Sequence, residues 1–220
     1  MFLSVCATEL ELQPLLAHTS PGGEGWQSLV TGVGLVETTL QLSRFLEQCS
    51  GPIAGVLNFG VGGAYIRDGF TEAAVLDICL AERELFGDLG ICHPDHIEPL
   101  PQSLLPHTSF SLDETLLGRA ESALRRNGLS PRRGNFVTVC GVSGSTGRGE
   151  MLGRQYDGLC ENMEGAAVAR VCNAYDLPLV EVRAISNLVE DRDLSRWRLD
   201  EACVLAARAA AIIVEELITT

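Results

Sequence analysis

Short apolar runs alternate along the chain with longer segments in which apolar residues recur every three or four positions. The apolar runs predict β-strands at residues 2–6, 28–33, 55–59, 73–80, 135–140 and 179–185. The periodic segments predict α-helices at residues 8–18, 35–49, 113–127, 165–175 and 200–218. Strands that alternate with helices are typical of a mostly parallel sheet covered on both faces. The pattern therefore predicts a single-domain three-layer α/β/α sandwich with a mixed, mostly parallel central sheet over residues 1–220.

Two segments interrupt this pattern. The run Pro21-Gly22-Gly23-Glu24-Gly25 predicts a turn between the first helix and the second strand. Residues 87–107 carry four prolines and three histidines without clear periodicity. We expect a long surface loop there, of the kind that carries function or contacts a partner subunit.

Composition argues against two classes of partner. The net charge of −13 is unsuited to nucleic acid, which needs clustered Lys and Arg. The C-terminal apolar run, residues 202–214, contains Arg208 and precedes Glu215 and Glu216, so it predicts a packed helix and not a membrane span. The N-terminus lacks a basic region followed by an apolar run, and no signal peptide is expected.

The cysteines indicate a reducing compartment. Cys6, Cys79, Cys140 and Cys172 fall inside apolar strand or helix patterns, where a free thiol behaves as a small hydrophobic group. The eight cysteines include no C-x-x-C pair, so structural zinc is not expected. We therefore expect a cytoplasmic protein.

Candidate chemistry gathers where predicted strands end. Open α/β sheets bind ligands outside the carboxyl ends of their strands. Residues 7–11, 58–63, 140–144 and 186–187 all lie at such ends, and residues 161–164 place a carboxylate where a polar cap opens an alanine-rich helix. An acid at a helix start beside an amide at a strand end suits a ligand with hydroxyls on one side and ring nitrogens on the other, such as a nucleoside.

Four short motifs have simpler structural interpretations. Gly32-Val33-Gly34 resembles half of a dinucleotide fingerprint, but the third glycine is missing and a tight turn is favoured. Gly60-Val61-Gly62-Gly63 either lets the backbone approach a ligand or forms a plain turn. The run Gly141-Val142-Ser143-Gly144-Ser145 narrowly misses a nucleophile elbow. His93-Pro94-Asp95-His96 predicts a solvated turn in preference to a metal site.

Individual side chains also leave alternatives open. Glu9, Glu11 and Glu164 lie in first helical turns, where acids commonly serve the helix dipole. Trp197 either packs under a loop or covers a ligand.

In their order along the chain, four motifs resemble the nucleoside phosphorylase superfamily, particularly its methylthioadenosine/adenosylhomocysteine nucleosidase branch. They are Ala7-Thr8-Glu9-Leu10-Glu11-Leu12, Asn58-Phe59-Gly60-Val61-Gly62-Gly63, Asn162-Met163-Glu164-Gly165-Ala166-Ala167 and Arg183-Ala184-Ile185-Ser186-Asn187. Within that branch, the Ser-Asn ending and residues 190–197 are similar to the futalosine hydrolases, enzymes of menaquinone biosynthesis. The resemblance implies a nucleoside phosphorylase-like fold.

The resemblance also implies roles for single residues. Glu11 matches the carboxylate that activates the attacking water, and Glu164 matches the acceptor of the sugar hydroxyls. The other matched positions are Met163 at the ribose, Gly62 and Gly63 beside the water and sugar, and Val33 at the sugar-side wall. The family chemistry requires no metal and no organic cofactor, and homodimers or higher homo-oligomers are common.

Two positions depart from the nucleosidase pattern. Asn187 stands where methylthioadenosine nucleosidases carry Asp, a general acid toward purine N7. An amide cannot deliver a proton, but it can donate one hydrogen bond and accept another, which suits the keto oxygen of a 6-oxopurine. Asn162 stands where Glu is common. We therefore expect hydrolysis of futalosine to hypoxanthine and dehypoxanthine futalosine.

Alternatives remain open at this point. The chain could be a methylthioadenosine/adenosylhomocysteine nucleosidase, a purine nucleoside phosphorylase or a nucleoside-binding module without catalysis. For a phosphorylase, Arg67 is the nearest cation to the glycine run, and an exposed turn is its simpler interpretation. The benzoate-bearing 5′ substituent of futalosine would favour a nearby cation, for which the unranked candidates are Arg148, Arg154, Arg192 and Arg196.

Overall fold

The structure, a computed structural model, describes residues 1–18 and 25–219. The turn predicted at residues 21–25 lies outside the described residues except for Gly25. The strands are β1 (Phe2–Cys6), β2 (Trp26–Val30), β3 (Gly55–Tyr65), β4 (Ile78–Phe86), β5 (Ile91–Cys92), β6 (Ile97–Glu98), β7 (Ser109–Ser111), β8 (Arg132–Thr138), β9 (Gly158–Asn162) and β10 (Leu179–Val189). The helices are α1 (Glu9–His18), α2 (Leu35–Gln48), α3 (Glu114–Arg126), α4 (Thr146–Gln155), α5 (Gly165–Ala174) and α6 (Leu199–Ile218), and a 3₁₀ turn, Leu194–Arg196, precedes α6.

Strand β3 is the centre of the main sheet. It pairs in parallel with β1 along its first half and with β10 along most of its length, and its far end pairs antiparallel with β9. Strand β10 also pairs antiparallel with β4, which runs parallel to β8, and β8 runs parallel to β9. The strands β3, β10, β4, β8 and β9 therefore close into a ring. Because most of these pairings are parallel, the predicted mixed, mostly parallel sheet is confirmed.

Helices cover both faces of the sheet, as predicted. On one face α1, α3 and α6 contribute Leu15, Leu117 and Ile213 to a buried apolar cluster. On the other face α2 and α5 contribute Leu42 and Val168 to a second cluster. The run at residues 202–214 is part of α6 and packs on the sheet, and within the described residues no helix is long and apolar enough to cross a membrane.

Several predicted strand boundaries were wrong. Strand β3 continues through the glycine run to Tyr65, and β10 continues through Asn187 to Val189. Strands β2, β4 and β8 also begin or end several residues from the predicted positions. In the sequence, glycine and polar residues interrupt the apolar pattern and predict strand ends. In the sheet, hydrogen bonds to the adjacent strands on both sides keep these residues extended.

The sequence pattern missed α4, β9 and the short hairpin of β5 and β6. Three glycines obscure α4, and two of them face packed side chains: a Cβ at Gly149 would lie 2.5 Å from Val189 Cγ1, and one at Gly153 would lie 3.0 Å from Tyr65 Cβ. Tertiary packing therefore overrides the low helix propensity of glycine in α4. Cys140 was wrongly placed inside a strand, because β8 ends at Thr138 and the thiol is exposed.

Candidate active site

A cavity of about 250 Å³ opens at the ends of β1, β3 and β10. All seven residues predicted to contact the substrate line it, namely Glu11, Val33, Gly62, Gly63, Met163, Glu164 and Asn187. Thr8, Ser143, Glu161, Arg183 and Trp197 line it as well. The predicted convergence of strand ends is thus present in the fold.

Three hydrogen bonds fix the Glu11 carboxylate at the cavity. Its Oε2 accepts hydrogen bonds from the Thr8 backbone N–H at 3.0 Å and from Thr8 Oγ1 at 2.9 Å, and its Oε1 accepts one from the Val61 N–H at 3.2 Å. Burial raises the pKa of the Glu11 carboxyl above its ordinary value, while Arg183 and the Thr8 hydrogen bond act in the opposite direction. A carboxylate with a raised pKa and a fixed orientation can act as a general base.

The glycines of β3 make room for this carboxylate. A Cβ at Gly60 would lie 2.4 Å from Glu11 Oε1 and 2.8 Å from Arg183 Nη1. A Cβ at Gly63 would lie 3.1 Å from Asn187 Nδ2. The run therefore permits close approach of side chains to a strand, and the alternative of a plain turn is wrong.

Glu164 lies at the start of α5 and reaches across to the turn after β2. Its Oε1 accepts a hydrogen bond from the Gly34 N–H at 3.0 Å, and its Oε2 lies 3.4 Å from Arg183 Nη1. Gly32 and Gly34 have φ values of 86° and 89°, which confirms the predicted tight turn and explains the glycines there. Val33, between them, is half exposed at the cavity wall.

A buried ionic cluster beneath the cavity was not recognised in the sequence. Arg183 Nε donates to Glu181 Oε1 at 2.8 Å, and its Nη1 donates to the Val61 carbonyl at 3.3 Å as well as to Glu164. Burial alone would lower the pKa of the Arg183 guanidinium, but Glu181, Glu164 and Glu11 raise it above its ordinary value. The alternation of charged and apolar residues in Leu179-Val180-Glu181-Val182-Arg183 was the available signal, because residues two apart share a face of a strand.

The Asn162 side chain binds backbone N–H groups at the start of α5. Its Oδ1 accepts hydrogen bonds from the Glu164 N–H at 3.0 Å and the Gly165 N–H at 2.7 Å, and its Nδ2 donates to the buried Glu84 Oε1 at 2.6 Å. The predicted polar cap is therefore displaced, because Glu164 occupies the N-cap position and Asn162 binds the helix N–H groups from the end of β9. A Cβ at Gly165 would lie 1.9 Å from Glu84 Oε1, so this packing requires glycine.

Asn187 lies next to an irregularity in β10. The register with β3 shifts between Ile185 and Asn187, and bulges of this kind commonly aim a side chain beside an active site. Ser186 Oγ donates to Asn187 Oδ1 at 2.8 Å, and Asn187 Nδ2 donates to the Leu188 carbonyl at 2.9 Å. These contacts fix the amide and leave its second N–H hydrogen for a ligand.

Glu161, at the cavity wall, binds the loop that resembles a nucleophile elbow. Its Oε1 accepts from the Ser143 N–H at 2.8 Å, and its Oε2 accepts from Ser143 Oγ at 2.6 Å and from the Tyr65 hydroxyl at 3.2 Å. Burial raises the pKa of the Glu161 carboxyl, and these hydrogen bonds oppose the increase. Ser143 is thus bonded to an acid and not to an imidazole base, which does not fit a serine hydrolase.

The structure ranks the four candidate arginines. Arg148 pairs with Asp88 at 3.0 Å, Arg154 with Asp68 and Glu150 at 2.6 Å each, and Arg196 with Glu190 at 2.7 Å. The Arg192 guanidinium instead stacks on Trp197 with its carbon 4.9 Å from the ring centroid, and within the described part of the chain it has no carboxylate at salt-bridge distance. Trp197 in turn lines the cavity.

A second polar group lies outside the cavity lining. His93, His96 and Glu98 have potential ligand atoms within 4.8 Å of one another and could hold a metal ion. The His93 and His96 rings stack with a centroid distance of 4.4 Å, and His93 Nε2 lies 3.1 Å from Glu98 Oε2. His96 and Glu98 are exposed and His93 is partly exposed, in agreement with the predicted solvated turn.

Comparison with known proteins agrees with this arrangement. The family model of the Phosphorylase superfamily matches residues 6–219. The chain is 33% identical to futalosine hydrolase of Thermus thermophilus, over 94% of this chain and 90% of that protein. It is 32% identical to futalosine hydrolase of Streptomyces coelicolor, over 93% of this chain and 83% of that protein. Among solved structures, a mutant methylthioadenosine/adenosylhomocysteine nucleosidase of Helicobacter pylori with 5′-methylthioadenosine in the active site superposes with a TM-score of 0.82, at 20% identity over 98% of each chain.

Proposed function

The chain belongs to the Phosphorylase superfamily, and we propose that it hydrolyses the N-ribosidic bond of futalosine, a 6-oxopurine nucleoside. It is a nucleosidase, and two relatives that match most of its length are futalosine hydrolases. The observation that carries the proposal is the convergence of Glu11, Glu164 and Asn187 in one cavity. These three side chains supply a base, an acceptor for sugar hydroxyls and an amide for the purine.

Glu11 would act as the general base. Its Oε1 accepts one protein hydrogen bond, so it has a further lone pair for a water molecule. The water would lose its proton to Glu11 as its oxygen attacks C1′ of the ribose, while the bond from C1′ to the purine nitrogen breaks. General-base catalysis of this kind contributes ~10²–10⁴ in rate.

Glu164 would bind the ribose. Arg183 and the Gly34 N–H hold its carboxylate at the cavity wall, and the oxygens retain lone pairs for sugar hydroxyls. Met163, beside Glu164, offers an apolar surface for the sugar ring, and Val33 lines the same cavity.

Asn187 would stabilise the departing purine. Negative charge builds on the base as the ribosidic bond breaks, and a fixed amide N–H stabilises such charge in a site that excludes water. By analogy with the loss of an oxyanion donor, this contact is worth up to ~3 kcal/mol in the transition state. Asn187 Nδ2 donates one hydrogen to the Leu188 carbonyl, and its second N–H is available to the purine.

The 5′ substituent would extend past Trp197 toward Arg192. The aromatic ring of the benzoate can contact the indole ring, and its carboxylate can pair with the guanidinium that stacks on that indole. Arg192 is favoured because the other three candidates already pair with carboxylates.

A phosphorylase mechanism is less well supported. Arg183, the buried cation of the cavity, lies between Glu181 and Glu164, and this negative surrounding disfavours a phosphate anion. Arg67 binds Glu72 and Asp157 and is not among the described residues that line the cavity. The retained Glu11 argues against a binding module without catalysis, since a binder has little need of a carboxylate beside C1′.

We further propose a cytoplasmic homodimer that acts in menaquinone biosynthesis. Val36 and Leu40 lie one helical turn apart on α2 and are 78% and 48% exposed, next to Val33 at the cavity rim. Apolar side chains at this spacing form one face of a helix, which a second subunit would cover. Sedimentation of the purified protein would measure the oligomeric state.

The deciding experiment is hypoxanthine release from futalosine in phosphate-free buffer, followed by chromatography, with inosine and methylthioadenosine alongside. Faster release from futalosine than from inosine or methylthioadenosine supports the proposed hydrolase. Release that requires phosphate would instead establish a phosphorylase. Faster release from methylthioadenosine would overturn the assignment of Asn187 to 6-oxopurines.

A further inference from the structure

Glu161 is a buried carboxylate for which the proposed reaction so far has no use. It lies at the end of β9, is 6% exposed and lines the cavity. Gly63 pairs directly with Glu161 on one side and with Asn187 on the other. The three residues therefore form one row across β9, β3 and β10, with no side chain on the middle residue.

This row brings the side chains of Glu161 and Asn187 to one cavity. Residues paired directly in a sheet project to the same face, and neighbouring strands are about 4.8 Å apart. The backbones of Glu161 and Asn187 are then on the order of 10 Å apart across Gly63. Both side chains line the same cavity, and the Asn187 amide extends over Gly63, with Nδ2 3.1 Å from the position a Cβ would take there. In a 6-oxopurine whose O6 and N7 face Asn187, N1 lies on the adjacent edge of the ring, and Glu161 is a carboxylate in the same cavity that this edge can meet.

The hydrogen bonds of Glu161 make it an acceptor. The Ser143 N–H, Ser143 Oγ and the Tyr65 hydroxyl all contact its carboxylate, two of them at Oε2 and one at Oε1. Because an ionised carboxylate accepts about four hydrogen bonds, one position at Oε1 remains for a ligand. Burial raises the pKa of the Glu161 carboxyl, and the three donors oppose this increase because they stabilise the ionised form.

We propose that Glu161 is a specificity-determining residue that accepts a hydrogen bond from N1–H of the 6-oxopurine base. This inference rests on the proposed function. Hypoxanthine carries a proton on N1, whereas adenine presents a lone pair there. A buried carboxylate can accept a hydrogen bond from N1–H of hypoxanthine. With adenine it would face the lone pair on N1, and both groups would be left without a partner, which would exclude adenine nucleosides.

A purely structural role must be distinguished from this one. Glu161 also anchors Ser143, so its loss could loosen the loop and slow every substrate alike. The test therefore compares kcat/KM for inosine with kcat/KM for adenosine in Glu161→Gln, and uses Tyr65→Phe as the matched control. Tyr65→Phe removes one donor to Glu161 and leaves the carboxylate in place.

We expect Glu161→Gln to reduce the inosine-to-adenosine ratio by ~10²-fold or more, since a Gln amide can donate to the adenine N1. The ratio should be unchanged in Tyr65→Phe. An equal decrease for both nucleosides in Glu161→Gln would overturn the proposal and leave Glu161 as an anchor.

A second measurement keeps the proposal testable should Glu161→Gln fail to fold. Calorimetry on the wild-type protein would compare hypoxanthine with 1-methylhypoxanthine, which lacks the N1 proton, and with adenine. We expect binding of hypoxanthine at least ~10-fold tighter than that of either other base. Equal affinities would overturn the role of Glu161. An inactive wild-type protein that still prefers hypoxanthine would instead contradict the proposed hydrolysis and leave the base site standing.

Discussion

Thr8 and Glu11 exchange hydrogen bonds across the first turn of α1. The Thr8 N–H donates to Glu11 Oε2 at 3.0 Å, while the Glu11 N–H lies 3.4 Å from Thr8 Oγ1. This reciprocal pair is a capping box, in which the acid satisfies an N–H group before the helix. The same carboxylate points its other oxygen toward the Val61 N–H in the cavity. Helix capping and the proposed catalysis therefore share one side chain, and the two interpretations of Glu11 are compatible.

The first prediction is that Glu11→Gln reduces kcat by ~10²–10⁴-fold while the protein stays folded. Gln can occupy the same position of a capping box but cannot take a proton from water. Hypoxanthine release and thermal unfolding would be measured on the same preparation. The matched control is Glu9→Gln, two residues earlier on the exposed side of α1, where Glu9 binds only Gln13 among the described residues. Activity of Glu11→Gln close to that of Glu9→Gln would remove Glu11 from the mechanism.

Much of the site followed from the order of strands and helices in the sequence. Glu11 and Asn187 are far apart in the chain, but each lies near the carboxyl end of a parallel strand next to β3. Such ends meet at one edge of a sheet, so their convergence could be predicted. The alanine-rich segment after Glu164 likewise predicted a helix start, and α5 begins there.

The rest of the site depends on contacts that local pattern does not encode. Glu161 lies in the candidate segment 161–164 and Arg183 begins the motif that ends at Asn187, yet the burial of both results from strands that pair only in the folded chain. The glycine run was ambiguous because glycine serves both turns and close approaches. In the folded chain Glu11 packs against Gly60 and Asn187 packs against Gly63. These contacts identify a close approach, and they cannot be read from the sequence.

The second prediction concerns Asn187→Asp. Asp at this position can be protonated and donate to N7 of adenine, whereas its ionised form would repel the keto oxygen of hypoxanthine. We expect activity on inosine and futalosine to decrease by ~10–10³-fold and the preference for adenosine to rise. The ratio of kcat/KM values for inosine and adenosine measures the effect independently of the amount of active enzyme. An unchanged ratio would contradict the proposed contact with the purine.

The third prediction tests the space around Glu11. Gly60→Ala would place a methyl group 2.4 Å from Glu11 Oε1. We expect a loss of about 1–3 kcal/mol in the free energy of unfolding and an activity loss on the order of 10²-fold, because the carboxylate must move. Gly118→Ala on α3 is the control, since a Cβ there meets no atom of the described residues within 4 Å. That variant should gain about 0.5–1 kcal/mol and keep full activity. Full activity of Gly60→Ala would show that Glu11 need not be held in place.

The fourth prediction concerns the 5′ substituent. Arg192→Met keeps an apolar side chain against Trp197 and removes the charge. We expect KM for futalosine to rise ~10-fold or more, because hydrogen bonds to charged groups contribute about 1.5–3 kcal/mol. KM for inosine should stay constant, because inosine has no carboxylate. Arg196→Met, on the same loop but paired with Glu190, should leave both values unchanged. Parallel changes in Arg192→Met and Arg196→Met would assign the carboxylate to another residue.

The last prediction links stability to pH through Glu84. Its carboxyl is fully buried, and burial raises its pKa well above the ordinary value, with the Glu181 carboxylate acting in the same direction. A carboxyl whose pKa is higher in the folded than in the unfolded chain contributes its full stabilisation when the pH is below the unfolded-state pKa. This contribution is lost as the pH rises through the folded-state pKa. The Glu84 carboxyl now contacts Thr138 Oγ1 at 2.8 Å and Asn162 Nδ2 at 2.6 Å. In Glu84→Gln a neutral amide takes its place, which can donate to Thr138 Oγ1 and accept from Asn162 Nδ2. We therefore expect the variant to gain stability relative to wild type between about pH 5 and pH 8, as measured by urea unfolding at several pH values. Parallel pH profiles for the two proteins would show that Glu84 has the same protonation state in the folded and unfolded chains.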